Sequence, residues 1–133
     1  MKNCSGKLAL FVLSIATFCV AASSAALAQR KWGAVAYTSG AAAYNSQWNH
    51  ASESEALAKA VTQCQAKNSG RCDVQTFSGE NCLALISGTR GGTKYSAWTR
   101  NAGFRATQDK ARQLCQTYTS CEVRTIVCAN GNH

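Results

Sequence analysis

The chain says nearly the same thing twice. From Trp32 to Cys82 it reads as an apolar strand, a Tyr/Trp strand, an amphipathic helix ending in Cys, and a Cys-x-Val strand, and from Cys82 to Cys128 the order recurs. Ala34-Val35-Ala36 matches Ala84-Leu85-Ile86, and Tyr44 and Trp48 match Tyr95 and Trp98. Cys64 matches Cys115, Cys72 matches Cys121, and Cys82 matches Cys128. A period near 50 residues with cysteines in register predicts a duplicated supersecondary unit, repeat one at 32–82 and repeat two at 82–128.

Each unit reads ββαβ. Trp32–Tyr37 is apolar throughout, and Tyr44, Ser46 and Trp48 alternate with Asn45, Gln47 and Asn49 as in a half-buried strand. Ser52 with Glu55 fits a capping box, and Ala56, Leu57, Ala60, Val61 and Cys64 form a helical stripe that ends near Lys67. In the second unit Cys82 to Ser87 is a strand, 88–92 a Gly-rich hairpin loop, and 94–100 the Tyr/Trp strand. Thr107 reads as the N-cap of the second helix, and 129–133 as a frayed tail. The expected fold class is α+β: a single small domain, 29–133, with a pseudo-twofold duplicated ββαβ unit, two helices on one mainly antiparallel sheet, and three disulfides.

Residues 1–28 read as a secretory signal peptide. Lys2 and Lys7 make the positive start, 8–22 is apolar, and Ala26-Leu27-Ala28 places cleavage before Gln29. The apolar run is short for a span of about 20 residues, so no membrane insertion is expected after cleavage. Phe18 before Cys19 is bulky for a lipidation site. Cys4 and Cys19 leave with the leader, and six cysteines remain in an exported, periplasmic or secreted domain. Six cysteines allow 15 pairings. The repeat favours Cys64–Cys72 and Cys115–Cys121, with Cys82–Cys128 closing the halves onto each other. No C-x2-C spacing points to a metal, and no cofactor is expected.

The chain carries +8, and without Lys2 and Lys7 it has 12 basic against 6 acidic residues, or +6. Residues 83–133 hold seven basic and two acidic groups, net +5, against +1 for 29–82. Outside the cytosol the available polyanions are wall polymers, lipid head groups and acidic partner proteins; nucleic acid is not the expected partner. Arg90, Lys94, Trp98, Arg100 and Arg105 surround the Gly-rich hairpin and form the candidate binding surface. Tyr44, Trp48, Tyr95 and Trp98 either stack on a ligand or pack in the core, and a small domain's need for bulky core residues favours packing. His50 beside Glu53 and Glu55 could serve a hydrolase as general base, alone or with His133, but those glutamates already suit the helix start. No other pair of carboxylates, and no G-x-S-x-G, indicates a reaction.

The start W-G-A-V-A-Y at 32–37, the helices A-L-A-K-A-V-T-Q-C at 56–64 and A-R-Q-L-C at 111–115, C-D-V at 72–74, C-L-A-L at 82–85 and C-E-V at 121–123 resemble the bacterial exported family called domain of unknown function 4189. The resemblance covers essentially all of 29–133 and implies an exported domain, without supplying catalytic residues. This chain departs from the family pattern at Lys94-Tyr95-Ser96-Ala97-Trp98 and in its basic flanks. The expected function is a non-enzymatic binding module for an envelope protein or an anionic wall polymer. The alternatives are an envelope hydrolase using His50, or a structural, stress-related exported protein without a discrete ligand.

Overall fold

An apolar run with no polar face must be covered on both sides, and the two strands that open the repeats are covered in this way in the computed structural model, which describes residues 29–68 and 70–131. The expected leader at 1–28, and His133, lie outside the described residues. The first unit comprises β1 (Trp32–Tyr37), a 3-10 turn (Ser39–Ala41), β2 (Tyr44–His50), α1 (Glu53–Lys67) and β3 (Asp73–Ser78). The second comprises β4 (Asn81–Arg90), β5 (Thr93–Ala102), α2 (Phe104–Cys115) and β6 (Thr119–Cys128). Cys82 lies in the first strand of the second unit, as expected.

The expected α+β fold is present, with its strands divided between two antiparallel sheets rather than joined in one. Each unit makes its own three-stranded sheet with its first strand central, β2-β1-β3 and β5-β4-β6. Ala34 and Ala36 pack on Ala56, Ala60 and Cys64 of α1. Ala84 and Ile86 pack on Ala111, Leu114 and Cys115 around α2. The opposite sides, with Val35, Tyr37, Phe77, Leu83, Leu85 and Val127, form one cluster between the sheets. The order of layers is helix, sheet, sheet, helix. A single sheet with both helices on one side would leave Val35, Leu83 and Leu85 in water, at about 1.5–3 kcal/mol each. Glycine is required at Gly33, where a Cβ would collide with the Phe77 ring and stand 2.9 Å from the Gln47 carbonyl oxygen.

The disulfides are Cys64–Cys72, Cys115–Cys121 and Cys82–Cys128. The first two tie each helix end to the following strand. The third differs from expectation in what it joins. Cys82 and Cys128 are register partners on β4 and β6, so the bond staples the second sheet and does not close the halves. Trp32 and Ser78 are the corresponding pair of the first sheet. The backbone of Ala129 closes the halves: its N–H donates to Asn81 O at 3.1 Å, and its carbonyl accepts from Asn49 N–H at 2.8 Å. Ala129 is fully buried, so the tail does not fray at that point.

Ser52 caps α1 by accepting from Glu55 N–H at 3.2 Å. The Glu55 carboxylate turns instead to Lys59 and His50. Thr107 does not cap α2. Gly103 (φ 84°) starts that helix, and Thr107 is buried one turn in, its hydroxyl donating to Gly103 O at 2.8 Å. The hairpin is tighter than expected, because β4 continues through Arg90 and leaves only Gly91 and Gly92 in the turn.

Candidate functional site

On β5, side chains alternate between the side facing the other sheet and the side bearing α2. Lys94 pairs with Thr89, Trp98 with Leu85 and Arg100 with Leu83, so Lys94, Trp98 and Arg100 share the inner side at the sheet's edge. Trp98 is 37% exposed. The Arg100 guanidinium stands 5.9 Å from the Trp98 ring, and its Nη1 donates to Thr76 O of β3 at 2.7 Å. Arg90 is not part of this strip. It turns to the helix side, 4.6 Å over the Tyr118 ring, with Nη2 donating to Thr117 O and Oγ1. Arg105 is exposed in the first turn of α2. The expected surface is thus divided by the pleat: three residues converge and two face elsewhere.

The four aromatics are not equivalent pairs and not a common core layer. Tyr44 is partly buried between the sheets, its hydroxyl donating to Arg124 O at 2.8 Å. Tyr95 is 45% exposed on the outer side, beside Tyr118. Trp98 corresponds by register to Ser46, since these residues oppose Leu85 and Val35. β2 carries a bulge at Trp48–Asn49, where Asn49 takes φ 61°, and Trp48 is 46% exposed against Gly131. The unequal Tyr-to-Trp spacing in the sequence reflects this non-equivalence, since Tyr44 corresponds by register to Ser96 and the bulge lies beyond Gln47.

A second feature lies at the junction of the repeats. Strands β4, β5 and β6 each have ten residues, whereas β1, β2 and β3 have six, seven and six. The second sheet therefore outreaches the first at its hairpin end. Its overhanging inner positions are polar and, among the described residues, are covered by the 3-10 turn of the first unit. Between them is a cavity of about 390 Å³ lined by Gly40–Ala42, Ser87, Thr89, Lys94, Ser120, Glu122 and Arg124. The buried Ser87 hydroxyl donates to Gly40 O at 2.7 Å and fixes the turn over the sheet. The Lys94 stem packs on Gly40.

Arg124 is an inserted residue. Leu85 pairs with Thr125 and Ile86 with Val123, leaving Arg124 as a bulge, while β1–β3 runs in unbroken register. Its guanidinium lies 5.6 Å from the Tyr44 ring, Nη1 meets Glu122 at 3.1 Å, and Nε is buried without a hydrogen-bond partner among the described residues. Neither charge nor periodicity singles out Arg124 in the sequence. A signal existed: Cys121 to Cys128 is one residue longer than the corresponding Cys72 to Ser78.

His50 is held on both ring nitrogens, by Gln47 Oε1 at 3.1 Å and Glu55 at 3.3 Å, and opens onto none of the cavities described. The Lys59 and then the His50 hydrogen bonds hold the Glu55 carboxyl below its ordinary value. Glu53 accepts from the Thr76 hydroxyl at 2.6 Å. Among the described residues no group of three His, Cys, Asp or Glu side chains is placed to hold a metal.

Three disulfides suit an oxidising, extracytoplasmic environment. No helix among the described residues is long and apolar enough to cross a membrane. The model of a family described as Domain of unknown function (DUF4189) matches residues 32–128. No curated protein and no solved structure matches the chain.

Proposed function

The chain belongs to the DUF4189 family, a membership that brings no assigned chemistry, and we propose from its surface that it is an exported binding module for an anionic polymer of the cell envelope. One observation carries this reading: Lys94, Trp98 and Arg100 lie on one side of an edge strand, with a cation set against an exposed indole. Two residues along a strand advance about 6.8 Å, so the strip from Lys94 to Arg100 reaches roughly 20 Å. That length suits successive units of a chain. Indole faces stack on sugar rings, and the flanking cations attract acidic substituents. The +5 charge of residues 83–133 favours encounter with such a polymer. Export by a cleaved leader, to the periplasm or beyond, is part of the same proposal.

A second reading has its own support. β5 is an edge strand of ten residues paired with β4 without a register shift, and such an edge can accept an extended segment of an envelope protein.

The test is titration of the oxidised protein with polygalacturonate, followed by calorimetry, with the methyl-esterified polymer as neutral control. Salt-sensitive saturation by the acidic polymer alone is expected, weakened about fivefold or more by Trp98→Ala or Arg100→Gln. Equal binding of the neutral polymer, or no effect of the two substitutions together, would remove the reading.

A further inference from the structure

We infer that the cavity between the repeats is a binding site for a small organic carboxylate, which shares only Lys94 with the β5 strip. The duplication serves as an internal control. What both halves share is scaffold, and the features around this cavity occur in the second half or at the junction. Arg124 has no counterpart in β3. A second register shift, between Ser87 and Thr89, admits Ser120 at φ 47°. Ala41, at φ 52°, roofs the cavity. Among the described residues only Ala41, Asn49 and Ser120 are non-glycines with positive φ, and two of the three line this space. Strained backbone persists where the surroundings hold it, and it gathers at ligand sites.

The chemistry of the lining sets the ligand class. Lys94 and Arg124 supply two cations and Glu122 one carboxylate, so the site has an excess of one positive charge. That balance suits a monoanion, whereas a phosphate monoester carries close to two negative charges. Glu122 engages Arg124 through Nη1 alone, and Nε remains an unpaired donor. A buried unpaired donor is costly, and a carboxylate that draws the guanidinium from Tyr44 into the cavity would satisfy it through the planar fork. The volume is at the lower end of the range for small-ligand sites and too small for a polymer segment. The hydroxyls of Thr89 and Ser120 add neutral partners at the wall.

The experiment is an amide-resolved NMR titration of the oxidised protein with N-acetylglycinate, the neutral N-acetylglycinamide, and inorganic phosphate. N-acetylglycinate is expected to shift Ser87, Thr89, Ser120 and the Arg124 Nε–H saturably, while the amide does not. Arg124→Gln should weaken binding about tenfold or more, and Trp98→Ala should leave it unchanged. Should Arg124→Gln fail to fold, Glu122→Gln removes the competing carboxylate from the same cavity without touching the β5 strip, and binding is expected to tighten; no tightening would overturn the proposal. No saturable shift into the tens of millimolar, equal shifts with the amide, or tighter binding of phosphate at the same amides would overturn the proposal. The carboxylate proposal rests on the cavity alone: Trp98→Ala weakens only polymer binding and Arg124→Gln only carboxylate binding, so failure of one proposal is distinguishable from failure of the other.

Discussion

The hydroxyl of Ser87, on the central strand of the second sheet, donates to the carbonyl of Gly40 in the first unit's turn at 2.7 Å, and the bond is buried. It joins two elements 47 residues apart where the facing sheets end unevenly. Ser87→Ala leaves the Gly40 carbonyl without that buried donor, so a loss of about 1–3 kcal/mol is expected. Urea unfolding of the oxidised protein measures it. An unchanged midpoint would mean that solvent reaches the carbonyl.

The three disulfides should not contribute equally. Cys82–Cys128 closes a loop of 46 residues and Cys115–Cys121 one of 6. Chain entropy then predicts about 4 kcal/mol lost on replacing the first pair with alanine and about 2 for the second. Comparing the two double variants by denaturant midpoint tests the order. A larger loss for Cys115/Cys121 would show that the α2–β6 connection depends on its bridge for more than loop closure.

Gly33 and Gly91 test two different demands for glycine. At Gly33 an added methyl meets the Phe77 ring and the Gln47 carbonyl, and Gly33→Ala should cost about 1–3 kcal/mol or more by overpacking. At Gly91 the space is open but φ is +57°, so Gly91→Ala should cost about 1 kcal/mol through backbone strain alone. The ranking is read from thermal midpoints.

Burial pushes the Tyr37 phenol above its ordinary 10.0; Asp73 adds to the rise and the Gln75 hydrogen bond opposes it. The folded state therefore keeps this proton at pH values where the unfolded chain releases it. The stabilisation is complete below pH 10.0 and is lost as pH rises through the higher folded value. Tyr37→Phe should flatten the alkaline limb of the stability profile while leaving the slope near pH 7 unchanged. An identical alkaline limb in the variant would assign the decline to other groups.

The helices, strands, and disulfide pairing were legible because each has a local mark: the stripe Ala56, Ala60, Cys64, the unbroken apolar run of β1, and a Cys at each helix end. The division into two sheets was legible in principle, since strands apolar on both sides need two covers, but the argument depends on recognising that neither helix can supply the second one. Trp98 and Arg90 were grouped correctly by sequence distance and wrongly by side, because the parity of a strand position decides its side and β4 runs further than its glycines suggest. The cavity was illegible for a different reason. Arg124 enters as a single extra residue, marked only by the length of the Cys121–Cys128 segment, and matching Cys128 to Cys82 instead of to Ser78 hides it.

The Ala129 contacts have a consequence for the order of events. Asn49 is made 80 residues before the carbonyl that receives its N–H. The first unit can form its helix, sheet and Cys64–Cys72 bridge early, but its inner side stays uncovered and its bulge unlatched until β6 has been delivered. A chain emerging from its N-terminus must pass through a stage in which Val35, Tyr37 and Phe77 face solvent. In that interval the half-built molecule exposes the apolar side of its sheet to proteases and to pairing with another copy's inner sheet.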